Sequence, residues 1–245
     1  MSGKKLYVVG MGPGDELYMT REALNAIEES DVIAGYKVYI NLLPERYADK
    51  EHIITGMRAE EERCRLSLEA ASSGKTVALV CSGDAGVYGM ASLVLELAPE
   101  YPGVEIRVVS GVTAALSGSA VLGAPLSNDF AVISLSDILT PKEKIIKRLR
   151  AAAEGDFCIA LYNPGSHNRP EALKEAAKIL METIEEDRVA GVVENIGRAE
   201  QRMRLCTLKE LETLEVNMFM TVFIGNSSTK IIDGHMVTPR GYIVK

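Results

Sequence analysis

Along the first half of the chain, short apolar runs alternate with longer stretches whose apolar residues recur at helical spacing. Residues 5–9, 32–34, 76–81 and 105–109 predict strands; 20–29, 59–72, 87–97 and 113–122 predict helices. The runs at 5–9 and 76–81 are apolar without alternation, the pattern of strands buried on both faces. Gly10, Gly35, Gly83 and Gly111 follow them closely. Strand, glycine turn and helix in repetition predict a mostly parallel sheet. In the second half, 130–135, 157–162, 188–193, 203–206 and 218–224 read as strands, and 142–153 and 171–185 as helices. The late strands are joined by connections too short for crossover helices, so a mixed sheet with antiparallel pairs is expected there. The fold class is α/β, with an N-terminal domain over 1–117 and a C-terminal α/β domain over 118–245.

The 245 residues are enough for two such domains. A net charge of −7 argues against sequence-independent nucleic-acid binding, which needs a basic surface. No apolar run reaches transmembrane length, and the four apolar residues before Gly10 are too few for a signal-peptide core. A cytoplasmic protein without membrane contact is expected. Cys64, Cys81, Cys158 and Cys206 lack CxxC spacing, as free thiols in a reducing compartment would.

Several motifs fail. Gly10-Met11-Gly12-Pro13-Gly14-Asp15 follows the first strand, but a dinucleotide fingerprint would need glycine where Asp15 stands. Ser73-Gly74-Lys75-Thr76 resembles the end of a P-loop, but Glu69 occupies the first glycine position and the segment precedes a strand. His52, His167 and His235 are scattered without ligand spacing, so no metal site is expected. No GxSxG is present. Three loops remain: Gly10 to Asp15, Ser82-Gly83-Asp84-Ala85-Gly86, and Gly111-Val112-Thr113-Ala114. Each alone reads equally as a plain turn. Together, at three strand ends and without a lysine, they suit a cofactor held by backbone groups and apolar contacts.

VVGMGPGD, VCSGDAG and SGVTA, in this order, resemble the cofactor loops of the tetrapyrrole methylase superfamily, and the resemblance runs through essentially the whole chain. It implies two α/β domains, S-adenosylmethionine bound in the cleft between them, and a homodimer. It also implies cofactor contacts from Pro13, Ser82, Gly83, Asp84, Val87, Thr113 and Ala114, with Asn163, Ile196 and Gly197 from the second domain. The segments GYKVY, LSDILTP, ALYNPGSHNR and NIGR are similar to the branch that methylates C17 and contracts the ring of precorrin-3B or cobalt-factor III in cobalamin synthesis. The chain departs from many members in carrying Ala85 and Ser110 where those have proline.

The implied reaction moves a methyl group from a sulfonium to a ring carbon, so the protein's part is placement and electrostatics. Ring contraction adds proton movement; Asp15, Ser136, Asp137 and Ser166, on predicted loops, are the candidates. Helix capping competes with catalysis for Asp15 and Asp137. Lys37, Arg58, Arg169 and Arg198 are expected to meet substrate carboxylates. Arg63 lies in the run Glu60-Glu61-Glu62-Arg63-Cys64-Arg65, which reads as a solvated helix face. The alternatives are a superfamily methylase acting on another tetrapyrrole position, and a non-enzymatic cofactor-binding protein.

Overall fold

The computed structural model describes residues 4–166 and 169–242; His167 and Asn168 of the ALYNPGSHNR segment lie outside them. The chain divides into two compact units, Met1–Thr113 and Ala114–Lys245. The expected boundary at 117/118 falls inside a helix of the second unit.

The first unit runs β1 (Lys5–Gly10), α1 (Arg21–Glu29), β2 (Val32–Tyr36), α2 (Lys37–Ile40), β3 (Glu51–Thr55), α3 (Glu60–Ser72), β4 (Thr76–Cys81), α4 (Ala91–Leu97) and β5 (Glu105–Val109). Its sheet has the order β3-β2-β4-β1-β5, and every pairing is parallel. Along β1, successive side chains enter opposite cores, as the strand period of two requires. Leu6 and Val8 pack with Cys64, Leu68 and Ala71 of α3 and Val94 of α4. Tyr7 and Val9 pack with Ala23, Ala26 and Ile27 of α1. The strand order explains the two layers. From β1 the chain moves one way, to β2 and β3; from β3 it returns the other way, through β4 to β5. Right-handed crossovers taken in opposite directions place their helices on opposite faces. The reversal falls between β1 and β4, so the helices that follow these neighbouring strands, α1 and α4, pack on opposite faces of the sheet.

β3 escaped the sequence reading because it is an edge strand, half polar and only partly buried. α4 begins at Ala91 rather than at 87. Asp84 Oδ1 accepts from the amides of Gly86 (2.8 Å) and Val87 (3.1 Å), and this turn holds the chain out of helix. Arg63 corrects the reading of 60–65 as a solvated face. Its side chain turns inward and is only 5% exposed, while Arg65 faces outward to Glu61 and Glu100.

The second unit runs α5 (Ala114–Leu122), β6 (Gly123–Ala124), β7 (Phe130–Ser134), α6 (Lys142–Glu154), β8 (Cys158–Tyr162), α7 (Ala172–Leu180), β9 (Val189–Glu194), β10 (Arg202–Thr207), β11 (Met220–Ile224), β12 (Lys230–Ile232) and β13 (His235–Val237). The sheet β10-β9-β11-β8-β7 is mixed. β7 and β8, joined through α6, are parallel; the other pairings are antiparallel. One face packs on α6 and α7 through Ile145, Leu149, Leu173 and Leu180. The other packs on α5, where Gly118 lies against Phe223 and Ile196 so closely that a Cβ would meet the Phe223 ring at 2.8 Å. A small third sheet, β12-β13-β6, was not anticipated. Its signal was Asp233-Gly234 between two short apolar pairs. Both residues take positive φ, 47° and 73°, as the tight hairpin turn favoured by Asp-Gly requires.

Candidate active site

In the first unit, the loops after β1, β4 and β5 converge because these three strands are neighbours. Gly12 and Gly83 exchange backbone hydrogen bonds in both directions, at 2.9 and 2.7 Å. The Asp84 carboxylate completes the join. With Oδ1 committed to Gly86 and Val87, its Oδ2 accepts from the Gly111 amide at 2.9 Å. A Cβ on Gly111 would press on Gly83 O and sit 2.5 Å from Gly10 O; one on Gly10 would sit 2.6 Å from Gly111 N. Only glycine allows the three backbones this contact. The result is a loop platform made of peptide groups, on which Pro13 and Gly83 are buried and Ser82, Val87 and Thr113 are half-buried. It brings together the first-unit positions expected to hold a cofactor. It contains no lysine or arginine, as suits a ligand gripped by peptide groups and apolar contact. Asp84 spends its carboxylate on three amides and acts as the organiser of the platform.

Asp15 is exposed at the end of the β1 loop. Its Oδ1 accepts from the Leu17 amide at 3.0 Å, capping a single 3-10 turn. Lys37 and Arg58 are exposed and follow β2 and β3, at the same carboxyl edge of the all-parallel sheet. Cys81, at the end of β4, is buried, and burial pushes its thiol up to about 11. That thiol stays neutral and offers no nucleophile.

In the second unit, the carboxyl ends of β7, β8 and β9 share one sheet edge, because β8 and β9 both run antiparallel to β11 and β7 runs parallel to β8. This edge collects the remaining candidates. Asn163 follows β8 with φ 53°, a left-handed position that asparagine tolerates, and its Nδ2 donates to Ser134 Oγ at 2.9 Å. The Ser136 amide donates to the same hydroxyl at 3.2 Å. Ser166 and Arg169 exchange backbone hydrogen bonds. Arg169 Nη1 donates to Leu135 O at 2.8 Å, and its Nε lies 3.5 Å from Asp137. Asp137 therefore faces Arg169 rather than capping α6, whose N-cap is Pro141 without a side-chain bond.

After β9, the Gly197 amide donates to Gln201 Oε1 at 2.8 Å, and Arg198 lays its guanidinium over the Phe219 ring at 5.3 Å. Ile196 is buried in the core beside Phe223, which leaves its peptide group for any ligand contact. Tyr162, missed in the sequence, receives the Ala115 amide on its hydroxyl at 2.6 Å. Its only sequence signal was its position beside Asn163.

Comparison with known proteins identifies the family. Residues 5–212 match the family of tetrapyrrole (corrin/porphyrin) methylases. A probable cobalt-factor III C(17)-methyltransferase from Salmonella typhimurium is 44% identical over 97% of this chain and 99% of its own. A precorrin-3B C(17)-methyltransferase from a Sinorhizobium species is 39% identical over 97% and 96%. The crystal structure of the methyltransferase CobJ superposes with a TM-score of 0.88 at 38% identity, covering 96% of this chain and 99% of that one. With the matched segment spanning most of the residues and both sets of loops, the chain belongs to the tetrapyrrole methylases.

Proposed function

We propose that this protein transfers the methyl group of S-adenosylmethionine to C17 of a corrin precursor, cobalt-factor III or precorrin-3B, with contraction of the ring, in cobalamin biosynthesis. The observation that carries the reading is the platform of Gly12, Gly83 and Gly111 closed by Asp84, which offers peptide groups where a Cβ would intrude. It fits the proposed cofactor: Pro13, Ser82, Gly83, Val87, Thr113 and Ala114 would hold it, with Asn163, Ile196 and Gly197 from the second unit. When bound, that cofactor supplies an electrophilic methyl on a sulfonium. The chain's own residues then orient and exclude water; in-line placement alone can account for roughly 7–11 kcal/mol of barrier lowering.

Asp15, Ser136, Asp137 and Ser166 remain the candidates for holding or moving the ring-contraction proton. Asp137 is held 3.5 Å from Arg169 Nε, which fixes the position of its carboxylate. Lys37, Arg58, Arg169 and Arg198 would face substrate carboxylates. The reading includes a cytoplasmic homodimer. Four buried free cysteines suit a reducing compartment, and among the described residues no helix is long and apolar enough to cross a membrane.

The test is anaerobic incubation of the protein with methyl-labelled S-adenosylmethionine and cobalt-factor III, followed by mass spectrometry and NMR of the pigment. Label at C17 of a contracted ring is the expected result. Label at another carbon would move the chain to a different branch of the family. Cofactor binding without transfer to cobalt-factor III, precorrin-3B or another tetrapyrrole would favour a non-enzymatic binding protein.

A further inference from the structure

Arg63 is a buried cation without an ion-pair partner among the described residues. It is 5% exposed, and its three hydrogen-bond contacts are neutral: Nε donates to Thr55 Oγ1 at 2.7 Å, Nη2 to Gly56 O at 2.9 Å, and Nη1 reaches Met90 Sδ at 3.9 Å. Among the described residues no carboxylate forms an ion pair with it. Glu61, on its own helix, is engaged by Arg65, and Asp84 by three amides. The buried thiols around it carry no compensating charge either, since burial pushes Cys64 up to about 12 and Cys81 to about 11. Arg63 also sits in the first turn of α3, the positive end of the helix. Burying a charge is costly unless it is paired, and arginine is almost never fully buried without a partner.

Two exposed cations, Lys37 and Arg58, lie at the same end of the sheet as Arg63, while Glu60, Glu61 and Glu62 share its turn of α3 without an ion pair to it. Tyr36 and Thr55 are register partners at the ends of β2 and β3, so Lys37 and Gly56 leave the sheet side by side. Arg58, two residues on, is held at φ 64°, a left-handed position unusual for arginine. Arg63 grips the start of that loop through Thr55 and Gly56. The carboxyl edge of the sheet is thereby divided. The glycine platform, whose charged side chains are the carboxylates of Asp15 and Asp84, occupies the β4-β1-β5 end, and Lys37, Arg58 and Arg63 lie at the β3-β2 end.

We propose that Arg63 is the buried anchor of a carboxylate-binding site completed at the surface by Lys37 and Arg58, and that its occupant is a carboxylate side chain of the tetrapyrrole. This rests on the substrate reading above. Arg63 acts as a positioning residue: it fixes the loop that presents Arg58 and sets a positive potential beneath it.

The test titrates cobalt-factor III by absorbance, and S-adenosylhomocysteine by calorimetry, into wild-type protein, Arg63→Met and Arg63→Lys. Arg63→Met should bind the tetrapyrrole at least about tenfold more weakly, with a shallower salt dependence. Its affinity for S-adenosylhomocysteine should change less than about twofold. Arg63→Lys keeps the charge but not the fork, and should fall between wild type and Arg63→Met. A folded Arg63→Met with unchanged tetrapyrrole affinity and salt slope overturns the proposal. Weakening confined to S-adenosylhomocysteine overturns it too, by assigning the site to the cofactor's carboxylate. If Arg63→Met does not fold, Arg63→Lys decides: a loss of about threefold in tetrapyrrole affinity supports the anchor, and none refutes it. Wild-type protein that binds neither cobalt-factor III nor precorrin-3B refutes the substrate reading itself, and the occupant with it.

Discussion

The hydroxyl of Tyr162, the last residue of β8, accepts a 2.6 Å hydrogen bond from the amide of Ala115, the second residue of α5. That amide is one of the four at a helix start without an intrahelical partner. The bond ties the segment carrying Ala114 to the strand end carrying Asn163, two positions far apart in sequence and both proposed to hold the cofactor. Tyr162→Phe should cost about 1 kcal/mol in stability, since a lost donor–acceptor pair at a half-buried site costs that much. It should also weaken S-adenosylhomocysteine binding several-fold. Urea denaturation and calorimetry measure the two effects, and a variant matching wild type in both would show the bond to be incidental.

Asp84 joins the loop after β4 to the loop after β5 through three backbone amides. Asp84→Ala strands all three, and should lower stability by about 3 kcal/mol and abolish measurable cofactor binding. Asp84→Asn retains one acceptor oxygen and should lose roughly half as much. An Asp84→Ala protein that unfolds at the wild-type denaturant midpoint would contradict the platform as described.

Two glycines of the platform should behave oppositely. A methyl at Gly111 would meet Gly10 O at 2.5 Å and press on Gly83 O, so Gly111→Ala must force the loops apart. A methyl at Gly86 meets only Asp84 Oδ1, at 3.3 Å. Gly111→Ala should eliminate cofactor binding, while Gly86→Ala should keep affinity within about threefold, as a close but relievable contact allows. Equal effects at the two positions would refute the close approach of the three backbones.

The buried thiols predict an alkaline weakness. Burial pushes Cys64 up to about 12, and Cys81 and Cys206 to about 11, from an ordinary value of 9.0. Between pH 9 and 12 the unfolded chain therefore releases protons that the folded chain retains. Stability contributed by these neutral thiols is fully present below pH 9 and is lost as pH rises through that window. Denaturant midpoints measured from pH 8 to 11 should fall, and fall less in a variant with Cys64→Ala and Cys81→Ala. At pH 8 the native protein should react with a thiol reagent only as fast as it opens. Immediate reaction of Cys64 or Cys81 would contradict their placement.

The sequence alone determined the class of fold and the chemistry of the loops. Uninterrupted apolar strands such as Leu6–Val9, each ended by glycine, can be satisfied only by burial on both faces of a parallel sheet. Gly12, Gly83 and Gly111 were visible as three loops without a cation. The residues the sequence missed were those whose roles depend on distant partners. β3 is half polar and only partly buried, and the two strands of the β12–β13 hairpin are too short to carry a strand signal by themselves. Asp137 could have capped a helix, and only the fold sets it against Arg169.

Arg63 shows the limit most sharply. Its run of charges reads locally as a solvated face, because helical spacing within six residues cannot reveal which way the helix turns. The tertiary structure decides that, by seating Cys64, Leu68 and Ala71 against the sheet and carrying the Arg63 guanidinium inward to Thr55 and Gly56. Local pattern reports which residues must be buried; only the packing of elements remote in sequence decides which charge is buried with them.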